Sequence, residues 1–202
     1  MNLLSNCCLI GDFCEYKRIQ YFTPFVWNTF FPDDIKTLIR NYDKIDFSKI
    51  NLVKYNGSKY YGLKIDNLLT VYYIHYLYAD HVGLRRDNYL KEVTGRDIEK
   101  YIVNSYFRRL SRLNTKEKPK FFFITNREDH TKILGRQETV EEWQEIIYLL
   151  KRYNYQGIVF TKFDELKGNE NVKIVKITDD NPRVTLEQNI NLIDRFINES
   201  TL

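Results

Sequence analysis

Cys7, Cys8 and Cys14 crowd together near the start of the chain, while His75, His81 and His130 stand far from them and from one another. A cysteine on a strand-to-helix turn has its pKa lowered by helix N–H groups that can also stabilise an oxyanion. A histidine on a neighbouring strand can then act as its base. That chemistry makes Cys8 the candidate nucleophile and His75 the candidate base. Adjacent cysteines point to opposite faces of a strand, so only one of Cys7 and Cys8 faces such a site, and the residues leave open which. A plainer role fits the same positions: both cysteines as small apolar fillers at the end of a buried strand, and His75 as a hydrogen-bonded core histidine.

Two further groups have polar chemistry to offer. Arg108 and Arg112 share a helical stripe with Arg109 beside them, which suits a phosphate or carboxylate, or else a solvated helix end complementing its own dipole. Asn6 stands where the first strand should end, and Asn126, Arg127, Asp129 and His130 beyond another can orient a polar substrate, although loops are also polar for no functional reason. A zinc site is disfavoured, because no second ligand pair follows at the usual spacing. A disulfide between Cys7 and Cys8 would be strained, so reduced thiols are expected.

The elements that must position these groups read as α/β. Near-continuous apolar runs at Asn2–Cys8, Leu69–His75, Lys120–Thr125, Gln156–Thr161 and Val172–Thr178 predict strands of a mainly parallel sheet covered on both faces. Lys54–Ile65, with Asn56-Gly57 at its centre, predicts a small β-hairpin insertion. Helices are expected from Pro32, from the capping-box spacing Thr139 to Glu142, over Arg96–Leu113 with Ile98, Ile102, Val103, Tyr106, Phe107 and Leu110 inward, and over Thr185–Asn198. The expectation is one three-layer domain over 1–202. Ligands of such sheets bind beyond the carboxyl ends of the strands, where Cys8, His75, the Asn126–His130 loop and Thr161-Lys162 would gather.

Composition narrows the class. The 202 residues are 43% hydrophobic and 29% charged, ordinary for a globular chain, but 15% aromatic, which implies partly exposed tyrosines. A net charge of +4 without a Lys/Arg block suits an anionic ligand or a membrane-proximal partner and argues against nucleic acid. No window is apolar enough for a membrane span and the start lacks a basic n-region, so a cytoplasmic location is expected.

A family resemblance runs through about 160 residues in order. Ser5-Asn6-Cys7-Cys8, the Thr23-Pro24 segment, the Pro32-Asp33-Asp34 helix start, Tyr61-Gly62, Tyr73-Ile74-His75-Tyr76, Tyr106-Phe107-Arg108-Arg109 with Arg112, and Phe160-Thr161 resemble the segments of an uncharacterised family of bacterial exopolysaccharide and capsule biosynthesis proteins. By that resemblance Cys8 is the family cysteine and His75 its second histidine. Tyr73 replaces the first histidine, and Tyr106 stands where tryptophan is usual. A weaker similarity, at the Asn6-Cys7 turn and Pro24–Trp27, is to a papain-like cysteine peptidase family.

The resemblance implies a transferase of surface-polysaccharide assembly acting on a small-molecule or oligosaccharide substrate near membrane-proximal assembly proteins. Acyl transfer is preferred over glycosyl transfer, because Asp33-Asp34 and Asp179-Asp180 are adjacent pairs and no Asp-x-Asp motif ends a strand. Coenzyme A or a nucleotide-linked donor would be the anionic partner. The alternatives are a cysteine hydrolase, with Asp80 or Asn126 orienting His75, and a noncatalytic scaffold of the assembly machinery.

Overall fold

The computed structural model describes residues 2–7, 9–18, 23–25, 29–54, 61–73, 95–128, 130–131 and 135–199. Four strands, β1 (Leu3–Ser5), β5 (Lys120–Ile124), β6 (Gln156–Thr161) and β7 (Val172–Lys176), form a parallel sheet in that order. Their side chains alternate between two cores. Leu4, Phe121, Phe123 and Val159 enter one, with α2 (Pro32–Asn41), α3 (Gly95–Leu110) and α4 (Val140–Arg152). Leu3, Phe122, Ile124, Ile158 and Phe160 enter the other, with α1 (Leu9–Lys17) and α5 (Pro182–Asn198). Helices therefore cover both faces, which is why β5 and β6 read as unbroken apolar runs. Edge strand β7 differs: only Val172 is fully buried and its remaining residues are half-buried or exposed.

The run expected as a parallel strand at Leu69–His75 is corrected. Leu69–Tyr73 is β4 of a separate antiparallel sheet, β2 (Ile50–Lys54), β3 (Tyr61–Ile65), β4. The cause is a tight turn. Asp66 and Asn67 both take positive φ, 48° and 56°, and Leu68 N–H donates to Ile65 O, a type I′ geometry that folds β4 back on β3. The β2–β3 pairing bears out the hairpin, whereas Asn56 and Gly57 lie outside the described residues. This sheet packs into the α2–α3–α4 core through Leu63, Ile65, Leu69 and Val71.

Helix ends are set by chemistry visible in the sequence. Thr139 and Glu142 make the full capping box of α4, and Asn181 caps α5 ahead of Pro182, one turn earlier than the expected start at Thr185. The inner face of α3 needs one correction: Ile102 and Tyr106 are buried, but Phe107 is 41% exposed and Arg109 is buried in its stead. Tyr106 Oη donates to Phe47 O at 2.9 Å, which anchors the buried end of that face.

Lys120, at the start of β5, closes the opposite end of α5. Its buried Nζ donates to the carbonyls of Phe196, Ile197 and Glu199 at 2.6, 3.4 and 2.7 Å. Lys120→Met would leave those carbonyls without their cation and is expected to cost about 1–3 kcal/mol in urea denaturation. An unchanged midpoint would show that the helix end is satisfied otherwise.

Asp34 sets a second expectation. In the first turn of α2, it accepts from Thr70 N–H at 2.8 Å, and burial, with Asp33 adding to it, pushes its carboxyl from 3.8 up to about 6 against that hydrogen bond. A folded-state pKa above the unfolded one means that the native state holds the proton longer. Its contribution to stability is complete below about pH 4 and is lost as pH rises through 6. Asp34→Asn keeps an acceptor for Thr70 and removes the charge. It should be at least as stable as the parent near pH 7.5 and flatten the profile by about 2–3 kcal/mol between those limits, measured by urea denaturation at each pH.

Candidate functional site

At the carboxyl end of β1 the chain passes through Asn6 and Cys7. The Asn6 side chain continues the ladder to β5: Nδ2 donates to Ile124 O at 2.9 Å and Oδ1 accepts from Ile124 N at 3.0 Å. Both ends of its amide are thus spent on holding β1 against β5. Cys7 is 1% exposed and faces the α1–α5 core, with Ser5 Oγ 3.4 Å from its sulfur. Of the adjacent pair, Cys7 is the core filler. Cys8, between Cys7 and the first residue of α1, lies outside the described residues, as do His75, Asp80, His81 and Asp129. Cys14 is fully buried, and burial pushes its thiol up to about 12, so it is inert.

β5 ends in a buried polar network whose centre was not singled out in the sequence. Asn126 turns the chain at φ 49°, and its N–H donates to Glu138 Oε2 at 2.6 Å. Trp143 Nε1 donates to the same oxygen at 2.9 Å, while Glu138 Oε1 lies 3.0 Å from His130 Nδ1. Glu138, His130 and Trp143 are all at most 2% exposed. Phe31 packs edge-on against the His130 ring at 5.7 Å and also against Tyr72, near the end of β4, at 4.8 Å. The end of β4 therefore reaches the same edge as the Asn126–His130 loop, although β4 is not a strand of the parallel sheet.

Beside this network lies a charged rim. Thr125 Oγ1 donates to Thr161 Oγ1 at 2.8 Å, joining the ends of β5 and β6. Asp180 then ties the rim together, accepting from Glu128 N–H at 3.1 Å and from Lys162 Nζ at 2.6 Å. Arg127 is 6% exposed. Asp12, half-buried in the first turn of α1, has its carboxyl pushed up to about 6, chiefly by burial and then by Glu15, against the opposing pull of Arg183 and Arg127. Asp12, Arg183 and Glu138 escaped the sequence reading. Asp12 and Arg183 had one available signal, their place in the first turns of helices that follow β1 and β7.

Connectivity adds to the field at this edge. α1 follows β1, α4 follows β5 and α5 follows β7, so their N-termini, with partial positive charge, all begin here. The arginines that follow one another at the end of α3 are elsewhere. The end of α3 carrying Arg108, Arg109 and Arg112 runs into Asn114 and Glu117, whose carbonyls receive the Asn2 side chain just ahead of β1. That is the amino edge of the sheet, so the structure does not bring these arginines together with Asn126, Arg127 and His130. Arg108 and Arg112 are exposed and Arg109 is buried.

The class that fold and rim define is an α/β protein with its polar residues gathered at the carboxyl edge of a parallel sheet, the edge where such sheets bind ligands. No protein-family model matches the chain, and no curated protein matches it. Among the described residues no helix is long and apolar enough to cross a membrane.

Asn126 supports a prediction of its own. Its positive φ is one that glycine adopts without strain, and its Oδ1 is buried with no hydrogen-bond partner among the described residues. Asn126→Gly should keep the N–H bond to Glu138 and leave stability unchanged or raise it by up to about 1 kcal/mol. A loss of more than that in thermal denaturation would mean that the side chain holds the loop.

Proposed function

We propose that the chain is a transferase of bacterial surface-polysaccharide assembly that moves an acyl group at the carboxyl edge of its parallel sheet. In this reading Cys8 is the nucleophile and His75 the base, with Asn126 beside the site and the buried His130 supporting the Asn126 loop through Glu138. Coenzyme A or a nucleotide-linked group is the anionic donor. The pathway and the two reacting residues come from the family resemblance. The observation that supports the site is the placement of Arg127 just beyond β5, Arg183 in the first turn of α5 and three helix N-termini at the carboxyl edge of the sheet. Arginines and helix N-termini at that edge can attract an anionic donor even beside Asp12, Glu128 and Asp180, and a thiol at the head of α1 would be stabilised as thiolate by the helix N–H groups. The donor is assigned to Arg127 and Arg183, since Arg108, Arg109 and Arg112 belong to the opposite edge.

Incubation with acyl-coenzyme A donors and a capsular sugar acceptor tests this reading. Thiol release is expected to disappear in Cys8→Ser and to fall about 10²–10⁴-fold in His75→Ala, the usual range for losing a general base. Activity unchanged in both variants would reject the assignment.

A further inference from the structure

The amino edge of the parallel sheet, opposite the proposed site, has a surface chemistry of its own. α1, α4 and α5 each follow a parallel strand and run back to this edge, and the segment after α3 reaches it through the Asn2 side chain. Direct contacts join these ends into one surface. Lys17 Nζ, at the end of α1, pairs with Asp194 of α5 at 2.9 Å, and Lys120 Nζ at the start of β5 donates to the last carbonyls of α5. Lys118 Nζ donates to Asn154 O at 3.5 Å and lies 5.8 Å from the Tyr155 ring, in the turn from α4 into β6. Asn154 Oδ1 in turn accepts from Asn171 Nδ2, just ahead of β7, at 3.1 Å.

Arg18, Arg108, Lys116, Arg152 and Arg195 are exposed on this surface, and among the described residues no ion pair engages any of them. Opposing charge is smaller. Asp194 and Glu170 are spent on Lys17 and Lys151, at 2.9 and 3.0 Å, and Glu15 and Glu117 hold partners of their own, which leaves Asp43 and Glu199. Cations at helix ends alone would do no more than complement the dipoles. The aromatic residues have no such explanation. Of the five large hydrophobic side chains exposed among the described residues, four sit in the last two turns or the cap of a helix that ends at this edge. They are Tyr16 of α1, Phe107 of α3, and Tyr148 and Tyr153 of α4.

We infer that the amino edge is a docking surface for an anionic lipid bilayer, its cations meeting the headgroup charges and its rings entering the headgroup layer. Exposed cations interspersed with amphipathic aromatic rings are what a membrane interface selects. A soluble polyanion would use the cations and leave the rings idle, and the centre of a protein interface is depleted of charge, whereas here charges separate the rings. Docked in this way, the molecule turns its carboxyl edge away from the bilayer and leaves it open to a soluble donor. The docking does not depend on the acyl-transfer reading and stands if that reading fails.

Co-sedimentation with vesicles tests the inference, comparing phosphatidylcholine alone with phosphatidylcholine containing about 30% phosphatidylglycerol. The protein is expected to bind the anionic vesicles and not the neutral ones, and to be released as salt rises from about 0.05 to about 0.5 M. Arg108→Ala, Lys116→Ala and Arg152→Ala combined should weaken binding about 100-fold, roughly fivefold for each charge near the surface. Phe107→Ser with Tyr153→Ser leaves the charge intact and should also weaken binding, with the salt dependence kept. Arg183→Ala, at the opposite edge, should bind as the parent does. All of these side chains are exposed, and a fluorescence reading on Phe107→Trp removes any dependence on loss of binding: its emission should move to the blue on anionic vesicles alone. No binding to the anionic vesicles, or binding undiminished in the triple variant, would overturn the inference. Binding to heparin as tight as to vesicles, with the Phe107 and Tyr153 changes without effect, would also overturn it and assign the surface to a soluble polyanion.

Discussion

Replacing Glu138 by leucine should destabilise the protein by about 3–5 kcal/mol, the range for removing one partner from a buried charged network. One carboxylate satisfies three groups at once, the Asn126 N–H, the Trp143 indole and the His130 ring, and all three would be left without an acceptor in a space closed to water. Glu138→Gln should cost much less, about 1–2 kcal/mol. Its carbonyl oxygen can take the position of Oε2 and accept from Asn126 and Trp143, while its NH₂ donates to His130 in the other tautomer. Urea denaturation followed by circular dichroism gives the stabilities. Equal losses in the two variants would mean that the charge, and not the pattern of donors and acceptors, holds this loop.

Phe122→Ala should cost a similar amount, about 3–5 kcal/mol, and for a different reason. Phe122 is fully buried at the centre of β5, facing α1 and α5, and its ring meets Phe196 of α5 edge-to-face at 5.5 Å. Deleting it opens a cavity under the layer that presents Asp12 and Arg183, and removes an aromatic pair worth about 0.5–1.5 kcal/mol beyond its area. Phe122→Leu keeps most of the volume and should lose only about 1–2 kcal/mol. If the alanine variant lost no more than the leucine one, the α1–α5 layer would have to be free to settle onto the sheet. In that case it could not hold the rim rigidly.

The parallel sheet was legible because burial on two faces leaves a local trace. Phe121-Phe122-Phe123-Ile124 and Ile158-Val159-Phe160 show no polar face, and only a strand between two helical layers tolerates that. The capping box at Thr139 was legible for the same reason, since its partners lie within four residues. β4 was misplaced because its apolar run looks like the others, and what separates it is the pair of positive-φ residues, Asp66 and Asn67, that precede it. No glycine marks that turn, so the cue was missed.

The site was less legible, because its key contacts are not periodic. Glu138 reads as a polar residue ahead of a helix. It is buried only because residues 12, 8 and 5 positions away on both sides of it close around its carboxylate. Asn6 was expected to bind substrate, but each end of its amide meets Ile124, 118 residues on in sequence. Arg108 and Arg112 do share an exposed stripe, as their spacing implied. Only the path of the chain into β5 shows that this stripe belongs to the amino edge.

The proposed function turns on the thiol at position 8 being the reactive one. Cys7 and Cys14 are at most 1% exposed, and burial holds the Cys14 thiol near 12, so alkylation of the folded protein should mark one site. The direct measurement is the rate of iodoacetamide labelling against pH, with the labelled residue identified by peptide mass. The account predicts one rapidly labelled thiol, Cys8, with a midpoint at or below about pH 7, lowered by the helix N–H groups at the head of α1. Labelling of Cys8 with an ordinary midpoint near pH 8.5, or no labelling until the chain unfolds, would contradict it.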